Sequence, residues 1–379
     1  MNIDIIIIGA GASGLMVASQ LEKKKVLLID VNDKIAAKVL ISGGGKCNVT
    51  NEVVEPSHYL GNPYFVAEVF KKFDQHDLLR WITERDLIPK VRTRGQYFCS
   101  KSSKELVDIF KRETKQDTIL LNTKVKSLSK RDEFFYVECE KKSYKAKTVV
   151  VASGGLSFPL LGASDIGLKI ADSFGHTIEK TAPALVGFTV QKDQFFFKSL
   201  SGISMDVEIR VGDKVCDGAL LFAHKGISGP VVLDASLYWE KGKIEIDFLP
   251  SWSLEVHLNS KKLISSLLPI PKRVCKALLE HLEIDDCPTY KLSTQERNKL
   301  ATLKQYQFAP AGNFGYSKAE VTKGGISTDE IDSKTMMSKK VDGLYFVGEV
   351  VDVTGQLGGY NFQWAFSSAY VCAKALERL

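Results

Sequence analysis

The chain has 379 residues, of which 44% are hydrophobic and 25% are charged. This composition is typical of a globular protein with a large core and two or three packed units, and it excludes disordered, collagen-like and coiled-coil chains. With 51 Lys and Arg against 45 Asp and Glu, the formal net charge is +6, spread along the chain without a basic tail. Such a charge permits an anionic partner but does not require one.

The seven cysteines are odd in number and contain no C-x-x-C pair, which argues against a disulfide framework or a zinc site. The N-terminus has no basic stretch before its apolar run, and no segment reaches the roughly 18–20 apolar residues of a spanning helix. We therefore expect a soluble cytoplasmic protein without a metal and without a membrane partner.

The first 30 residues predict a compact strand–helix–strand unit. The apolar run at 3–8, interrupted only by Asp4, is typical of a parallel strand buried on both faces, and a glycine-rich turn and a helical pattern to the lysines at 23–25 follow. A second buried strand at 26–29 ends at Asp30. The spacing is that of a βαβ unit.

The turn after the first strand reads Gly9-x-Gly11-x-x-Gly14, and Asp30 follows 21 residues after Gly9. Gly9 permits a tight turn, Gly11 lets the backbone approach a pyrophosphate, and Gly14 allows close packing of helix on strand. An acid at the end of the second strand binds ribose hydroxyls and disfavours a 2′-phosphate. The pattern predicts a site for FAD or NAD rather than NADP.

A second glycine-rich segment runs from Ser42 through three glycines to Cys47. It is not a P-loop, because Leu40 and Cys47 stand where that motif has Gly and Ser or Thr. The glycines suit a backbone that passes close to a ligand anchored at Asp30; a plain surface turn is the alternative.

The other segments predict a nucleotide-binding domain interrupted by one insertion. In chain order we expect helices at 65–85 and 102–115, an antiparallel meander of runs at 119–128, 134–139 and 144–151, a helix at 164–174, strands over 184–250, helices over 254–305, a buried strand at 343–348 and a helix at 360–378. Ser102 and Glu105 have the spacing of a capping box. The predicted domains are 1–185 with 309–379, and an insertion at 186–308 with a β part at about 186–250 and a helical part at about 254–305.

A third glycine-rich element joins the strand at 343–348 to the last helix. Gly348-Glu349 is followed by Gly359, Tyr360 and Asn361. An acid beside a helix N-terminus suits the polyol and the ring of a flavin, whose reduced form carries negative charge; an ordinary strand–loop–helix closure is the alternative. No second G-x-G-x-x-G occurs, so a dedicated NAD(P)H domain is not predicted; either NAD(P)H visits the substrate pocket or the reductant is something else.

The stretches IIIIGAGASGLMVA, KVLISGGGKCNVTN, GALLFAHKGISGP, VTKGGIS and GLYFVGEVVDVTGQLGGYNFQWAFSS resemble the BaiN-like family of FAD-dependent oxidoreductases, also called YhiN-like or RdsA-like. The resemblance implies an α/β fold: a Rossmann-like FAD-binding domain of the glutathione-reductase type with an inserted β-plus-helical domain. It also implies contacts to a non-covalent FAD at Gly9, Gly11, Ser13, Gly14, Asp30, Lys38, Ser42, Gly43, Gly44, Cys47, Val125, Ser153, Gly154, Gly155, Gly348, Glu349, Gly359, Tyr360 and Asn361. Asp30 departs from the glutamate that FAD folds more often have there.

Two side chains are candidates for catalysis. His224 lies in one of the matching stretches, and a histidine can donate a proton near neutral pH; a structural role is the alternative. Tyr360 is expected beside the flavin, where it donates a hydrogen bond or stacks. Cys47 is either a redox thiol without a second cysteine nearby in sequence or a packing residue against the flavin. The other five histidines are interpreted as structural.

The resemblance favours a reductase that transfers a hydride between the flavin and a small apolar or cyclic carbonyl or enone, with NAD(P)H as a transient reductant. Its alternatives are a flavoprotein oxidase re-oxidised by O2, a tRNA-modifying flavoprotein and a redox-sensing flavin binder. The absence of a basic arm or clustered arginine–aromatic pairs places nucleic acid last among the partners. The substrate, the electron donor and the oligomeric state stay open.

Overall fold

In the computed structural model, which describes residues 3–253 and 255–378, the chain folds into two compact units. The discontinuous unit consists of Met1–Pro183 and Glu320–Leu379, and the inserted unit is Ala184–Ala319. Each has its own hydrophobic core. The insertion ends later than the predicted residue 308, because a short strand at Gly312–Asn313 pairs within the inserted unit. Leu254, where the predicted helical part begins, lies outside the described residues.

Both units contain strands and helices. The strands are β1 (Ile5–Ile8), β2 (Val26–Ile29), β3 (Asn48–Asn51), β4 (Tyr59–Leu60), β5 (Lys90–Val91), β6 (Gln96–Phe98), β7 (Thr118–Leu120), β8 (Val125–Arg131), β9 (Phe134–Cys139), β10 (Ser143–Ala146), β11 (Thr148–Val151), β12 (Ile178–Ala184), β13 (Phe188–Thr189), β14 (Ser204–Val211), β15 (Lys214–Ala223), β16 (Gly226–Ser228), β17 (Ile244–Asp247), β18 (Tyr306–Phe308), β19 (Gly312–Asn313), β20 (Val321–Ile326), β21 (Leu344–Phe346) and β22 (Thr354–Gly355). The helices are α1 (Ala12–Ala18), α2 (Ala37–Gly45), α3 (Pro63–Phe70), α4 (Gln75–Thr83), α5 (Lys104–Glu113), α6 (Ile166–Ser173), α7 (Phe196–Ser199), α8 (Pro230–Tyr238), α9 (Ile264–Leu267), α10 (Lys272–Leu282), α11 (Thr294–Ala301) and α12 (Tyr360–Leu376). In the inserted unit three helices in succession, α9 to α11, lie between β17 and β18.

A five-stranded parallel sheet organises the discontinuous unit. Its strand order is β21-β11-β1-β2-β7, and β1 pairs in register with both β2 and β11. Every residue of β1, β2 and β11 is buried, as expected of strands covered on both faces. The predicted parallel α/β architecture is confirmed.

The predicted meander at 119–151 is only partly correct. Strands β8, β9 and β10 form an antiparallel three-stranded sheet, but β7 and β11, at the two ends of the same stretch, join the parallel sheet. Periodicity cannot distinguish the two kinds of strand here, because a short apolar run fits either. The division is decided by which strands lie next to β2 and β1.

The helix predicted at 65–85 is wrong as one element, since α3 and α4 are separate. Helix α3 ends at Phe70, and Asp74 is the N-cap at which α4 begins. The Asp74 carboxylate accepts hydrogen bonds from the backbone N–H groups of His76 and Asp77. Asn62 caps α3 in the same way, and Pro63 takes the first helical position, where its missing N–H costs nothing. Both caps were readable in the sequence.

Three further predictions differ from the structure. Helix α1 ends at Ala18, short of the predicted lysines, and the chain then turns before β2. The strand-like region at 184–250 also contains α8, which begins at Pro230 directly after Gly229. The predicted capping box at α5 forms by half: the Glu105 carboxylate accepts from the Ser102 N–H, whereas the cap residue Ser103 makes no side-chain cap bond.

The inserted unit is built on an antiparallel seven-stranded sheet of order β18-β17-β14-β15-β16-β13-β19. Its core holds buried residues from these strands together with α8 to α11, and Phe197, Phe222, Phe248 and Phe308 are fully buried there. Strands β18 and β19 follow the helical part in sequence and form the two edges of this sheet. The chain segments before and after the helices therefore belong to one unit.

Candidate functional site

Four of the predicted cofactor residues follow strands of the parallel sheet at its carboxyl edge. Gly9 directly follows β1, Asp30 follows β2, Ser153 comes two residues after β11, and Gly348 comes two residues after β21. Because carboxyl ends of parallel strands share an edge, four loops that are far apart in sequence meet there, and ligands of such sheets bind at that edge.

The three glycines of the first loop differ in what surrounds them. A Cβ atom at Gly9 would lie 2.4 Å from the carbonyl oxygen of Ala152, and one at Gly14 would lie 1.9 Å from the carbonyl oxygen of Gly9. These two glycines are therefore needed for strand packing and for helix packing. A Cβ at Gly11 would meet no atom within 4 Å, so the backbone there borders open space.

Asp30 fixes the shape of the first loop. Its Oδ2 accepts from the backbone N–H of Ala10 at 2.7 Å, and its Oδ1 accepts from the backbone and side-chain nitrogens of Asn32 at 2.8 and 2.9 Å. Asn32 in turn donates to the Leu161 carbonyl. The carboxylate thus links the glycine loop to the end of β2 by hydrogen bonds. The sequence did not indicate this structural role.

Two predicted cofactor residues, 311 positions apart, form an ion pair. Lys38 Nζ lies 2.7 Å from Glu349 Oε2, with the lysine 35% and the glutamate 20% exposed. The other carboxylate oxygen of Glu349 accepts from the Thr322 N–H at 2.8 Å. A Cβ at Gly155 would lie 2.7 Å from Glu349 Oε1, so the Ser153–Gly155 turn passes directly beside this group.

Gly348 is held from two sides by the last helix. Its N–H donates to Ser368 Oγ at 3.0 Å, and its carbonyl accepts from the indole of Trp364 at 3.1 Å. A Cβ at Gly348 would come within 2.1 Å of Ser13 Oγ, which brings α1 against the third glycine element. Ser13 and Gly348, both predicted as cofactor contacts, are therefore neighbours.

The triple-glycine segment is a helix end rather than a surface turn. Ser42 leaves the helical conformation and donates to the Val39 carbonyl at 2.8 Å, and Gly43 and Gly44 are left-handed. Cys47 follows, fully buried, with its thiol hydrogen-bonded to that of Cys99. Burial raises the pKa of the Cys47 thiol well above its usual value, so the protonated form dominates.

Cys99 is a residue that the sequence analysis missed. It immediately follows β6, and Cys47 immediately precedes β3; the pairing of Asn48 with Phe98 sets the two cysteines opposite each other. The Cys99 N–H donates to the Cys47 carbonyl at 3.3 Å. A second cysteine 52 positions away thus becomes an immediate neighbour of the first, which only the pairing of these strands decides.

The start of α12 places Tyr360 against Tyr59 and against His58, one of the histidines interpreted as structural. The Tyr360 ring stacks on the imidazole of His58 at 4.6 Å, and its carbonyl accepts from the Tyr59 hydroxyl at 2.9 Å. Nδ1 of His58 accepts from the Glu55 N–H, which leaves the proton of the neutral ring on Nε2. Burial lowers the pKa of His58 and favours this neutral form. Asn361 closes the loop through both backbone groups of Gly355.

Val125 and His224 lie in other elements than the four loops at the edge of the parallel sheet. Val125 is buried at the start of β8, two residues after Thr123, whose N–H donates to the Asp30 carbonyl. His224 is exposed in the turn between β15 and β16 of the inserted unit. Its predicted approach to the flavin stays a prediction.

The residues present fit a dinucleotide cofactor. Three glycines from three different loops, Gly11, Gly44 and Gly154, have their Cβ directions open to at least 4 Å, whereas other glycines in the same loops are packed. The open positions let a ligand approach the backbone closely, and the Lys38–Glu349 pair supplies charge and polar atoms next to the turn that contains Gly154.

One acid in the loop that follows Gly348 has a strongly altered pKa. Burial raises the pKa of Asp352 to about 6, and the negative charge of Glu179 adds to the shift while Lys323 opposes it. Asp352 lies in the loop between Gly348 and Gly355, four residues after Gly348. A carboxyl that titrates near neutral pH in such a loop is a candidate acid.

Some kinds of site are not found in the part of the chain that the structure describes. Residues 3–253 and 255–378 hold no group of three or more His, Cys, Asp or Glu side chains that could bind a metal ion. No described helix is both long and apolar enough to cross a membrane. All seven cysteines are among the described residues, and each is a free thiol.

Comparison with known proteins shows a similarity over nearly the whole chain. The family described as HI0933-like protein Rossmann domain matches residues 3–375. Proteins named ribosomal RNA dihydrouridine synthase are 40% identical in Haemophilus influenzae, over 393 residues, and 40% identical in Escherichia coli, over 390 residues, each covering 98% of both chains. A 3-dehydro-bile acid delta(4,6)-reductase of Clostridium scindens is 29% identical, covering 97% of this chain and 98% of its own. Among solved structures, an open flavocytochrome c3 fumarate reductase is similar at 16% identity and a TM-score of 0.47, over 100% of this chain and 79% of that one.

Proposed function

Because the chain belongs to the HI0933-like Rossmann family of FAD-binding oxidoreductases, we propose that it reduces a carbon–carbon double bond conjugated to a ring carbonyl. The resemblance to the BaiN-like family drawn from the sequence is confirmed, and so is the flavoprotein oxidoreductase class. The observation that carries the proposal is full-length similarity to two kinds of relative whose names describe the same chemistry.

That shared chemistry is the saturation of an enone-like bond. Dihydrouridine is uridine whose ring C5–C6 double bond, conjugated to the C4 carbonyl, has been hydrogenated. A delta(4,6) double-bond system in a 3-dehydro bile acid is likewise conjugated to a ring ketone. This agrees with the cyclic enone expected from the sequence. We take uridine in ribosomal RNA as the substrate, since the relatives with that name are 40% identical against 29% for the bile-acid enzyme.

The discontinuous unit would hold the cofactor. Gly11 would lie beside the pyrophosphate and Asp30 beside the ribose, while the Lys38–Glu349 pair and the loop from Gly348 to Asn361 would surround the rest of the molecule. FAD, when bound, supplies the hydride after an external donor such as NAD(P)H has reduced it.

The chain must then deliver a proton. Hydride addition to the carbon remote from the carbonyl leaves negative charge on the carbonyl side, and a proton must reach the adjacent carbon. Two groups are candidates: His224, exposed in the inserted unit, and Asp352, whose pKa of about 6 leaves a fraction of the carboxyl protonated at neutral pH. His58, neutral and stacked on Tyr360, would orient that ring rather than give up its proton.

The test measures the reaction directly. Purified protein reconstituted with FAD is incubated with NADH or NADPH and with ribosomal RNA transcribed in vitro, and dihydrouridine is counted by mass spectrometry of the digested nucleosides. We expect dihydrouridine in proportion to the NAD(P)H consumed. A parallel reaction with a 3-oxo-Δ4 steroid tests the bile-acid chemistry.

The outcomes separate the alternatives. Reduction of the steroid but not of the RNA would overturn uridine as the substrate and keep the enone chemistry. Rapid re-oxidation of the reduced flavin by O2, unaffected by RNA or steroid, would overturn the reductase and favour an oxidase.

The proton donor is tested by substitution. His224→Asn and Asp352→Asn are each made in the full chain, and re-oxidation of the reduced flavin by substrate is followed by stopped flow. Loss of the true donor should slow this step roughly 10²–10⁴-fold while the FAD content stays unchanged. His257→Asn, also in the inserted unit, is the control. Wild-type rates in both variants would remove both candidates.

A further inference from the structure

The three-stranded sheet β8–β9–β10 presents an unusual face to solvent. In its central strand β9, Phe135, Val137 and Cys139 are buried in the core, and the alternate residues point the other way. Those outward residues include Phe134 and Tyr136, both half-buried. The solvent side of an antiparallel sheet is normally polar, so two aromatic rings on its central strand need an explanation.

The same segment concentrates positive charge. Residues 124–147 contain eight Lys or Arg and four Asp or Glu, a net charge of +4 in a chain whose total is +6. The prediction that the excess positive charge is spread along the chain is therefore wrong, because residues 124–147 concentrate it. Four of the six excess charges lie in this one segment, which forms the three-stranded sheet and its turns.

The cations of this segment lie over the outward rings. Lys145 Nζ is 3.7 Å from the centroid of the Phe134 ring and 5.6 Å from that of Tyr136. Arg131 Cζ lies 5.4 Å from the Tyr136 centroid, and Lys147 Nζ lies 5.5 Å from that of Phe134. Strand pairing sets this arrangement, because Arg131 is opposite Phe134 on one side and Lys145 is opposite Tyr136 on the other.

Arg131 and Lys145 remain available for an anionic ligand. Lys147 pairs with Glu133 at 2.9 Å, and Lys130 donates to the Asp342 carbonyl at 2.7 Å. Within the described residues, neither Arg131 nor Lys145 has a carboxylate within ion-pair distance, and both are exposed. Among the described residues, these two cations contact the faces of Phe134 and Tyr136.

We propose that this face, defined by Arg131, Phe134, Tyr136 and Lys145, binds single-stranded RNA, which rests on the proposed function in ribosomal RNA. Two rings spaced two residues apart on one strand, about 6.6 Å, form a platform on which successive bases can stack. The flanking cations reach phosphates. On binding, a base replaces Lys145 over the ring, and the long lysine side chain swings to the backbone of the RNA.

RNA is favoured over other anionic partners because the rings and the cations alternate. An acidic peptide or an anionic membrane would use the charges but has no flat group to stack on the rings. A nucleic acid strand uses both, since every base has a π-face and every nucleotide a phosphate.

The first experiment measures how much the positive charges of this face contribute to RNA binding. The holoprotein is titrated against a fluorescein-labelled single-stranded RNA of about 12 nucleotides that contains uridine, at several NaCl concentrations, by anisotropy. The double variant Arg131→Glu and Lys145→Glu should weaken binding and reduce the slope of log Kd against log salt by about 1.4, since each lost phosphate contact contributes about 0.7. The control Lys104→Glu and Lys115→Glu, exposed at the two ends of α5, changes the net charge equally and should leave the slope unchanged.

The second experiment measures how much the Tyr136 ring contributes to RNA affinity by stacking on a base. Tyr136→Ala should weaken binding of the same RNA by roughly 5- to 150-fold per base lost, whereas Tyr136→Phe keeps the ring and should restore the affinity. Thermal melting of each variant checks that the sheet is intact. Equal weakening by Ala and Phe would overturn the stacking role.

The outcomes separate this inference from the proposed function. If wild-type protein forms dihydrouridine but the charge-reversed sheet binds RNA normally, the docking face is overturned and the function stands. If the sheet variants lose RNA binding but no dihydrouridine forms in any sample, the face stands and the function is overturned. Tighter binding to anionic lipid vesicles than to RNA would overturn RNA as the partner.

Discussion

Among single residues, the glycines of the first loop show how one residue type serves different purposes. Gly9 and Gly14 stand where a side chain would collide with backbone atoms of the protein itself, at 2.4 and 1.9 Å. Gly11 has φ −85° and ψ −165°, a conformation open to any residue, and its Cβ direction is free. The fold therefore requires Gly9 and Gly14, whereas only a ligand explains Gly11.

This difference gives a matched pair of variants. Gly11→Val should leave the melting temperature of the cofactor-free protein nearly unchanged and abolish retention of FAD, because the side chain fills the space that the pyrophosphate needs. Gly14→Ala should lower the melting temperature of the cofactor-free protein, because helix α1 must move off the first loop. Flavin absorbance per chain and thermal melting measure both; full FAD content in Gly11→Val would contradict the placement of the pyrophosphate.

Asp117, in the turn before β7, is a residue whose charge the fold tolerates poorly. Burial raises its pKa to about 7, well above the unfolded value of about 3.9. The folded state therefore binds the proton more tightly than the unfolded state, and stability falls as pH rises from about 4 to about 7. Above that window the whole penalty is present.

Asp117→Asn should remove this penalty. We expect the variant to melt at a higher temperature than the wild type at about pH 8, and the difference to vanish below about pH 4, where the wild-type carboxyl is protonated in both states. Scanning calorimetry across this range measures it, with Asp108→Asn on the exposed side of α5 as the control. A difference that does not depend on pH would show that charge is not the cause.

Between elements, a chain of buried polar groups joins β3 to the last helix. Thr50 Oγ1 donates to Gln363 Oε1 at 2.6 Å, Gln363 Nε2 donates to Ser367 Oγ at 2.9 Å, and Ser367 Oγ donates to the Phe73 carbonyl at 2.7 Å. The three side chains are fully buried. This series of hydrogen bonds fixes the position of α12 relative to β3, which follows the triple-glycine segment. Because Tyr360 begins α12 and Gly348 bonds to it, both residues are positioned by the same hydrogen bonds.

Thr50→Val keeps the shape of the side chain and removes the donor. Gln363 Oε1 is then buried without a partner, which should cost about 1–3 kcal/mol of unfolding free energy. Urea denaturation measures the loss. Thr302→Val, exposed and bonded only within its own helix turn, should change it by less than about 0.5 kcal/mol. Equal losses of unfolding free energy in the two variants would mean that the buried hydrogen bonds stabilise the fold no more than an exposed one does.

At the scale of the whole molecule, the inserted unit has the features of an independent domain. Its sheet is formed only from strands between residues 188 and 313, and its core cluster contains no residue of the discontinuous unit. A self-contained core of this size is within the range of domains that fold alone.

We therefore expect the fragment 184–319 to fold by itself. It should show a β-rich circular dichroism spectrum and a single cooperative melting transition. The fragment 1–183, which lacks β20, β21 and α12, is the control and should not melt cooperatively, because β21 closes one edge of its parallel sheet. A structureless 184–319 fragment would show that the inserted core depends on the rest of the chain.

Much of the fold was readable from local pattern. Continuous apolar runs identified β1, β2 and β21, because these strands are fully buried, and the alanine spacing identified α12, because one face of that helix is buried. The boundaries were less certain: α3 and α4 were fused, and β7 and β11 were assigned to the wrong sheet. Local sequence does not say which neighbour a short strand will pair with.

The sequence by itself determined the family, the parallel α/β fold and the glycine and acid motifs expected to hold FAD, since these depend on residue type at fixed spacing. Tertiary structure decided which distant residues become neighbours. It set Cys99 beside Cys47, Glu349 beside Lys38 and His58 beneath Tyr360, and it gathered the cations of 124–147 around two aromatic rings. The physical reason is that strand pairing and the shared edge of a parallel sheet join segments up to about 300 positions apart, a distance over which sequence spacing carries no information.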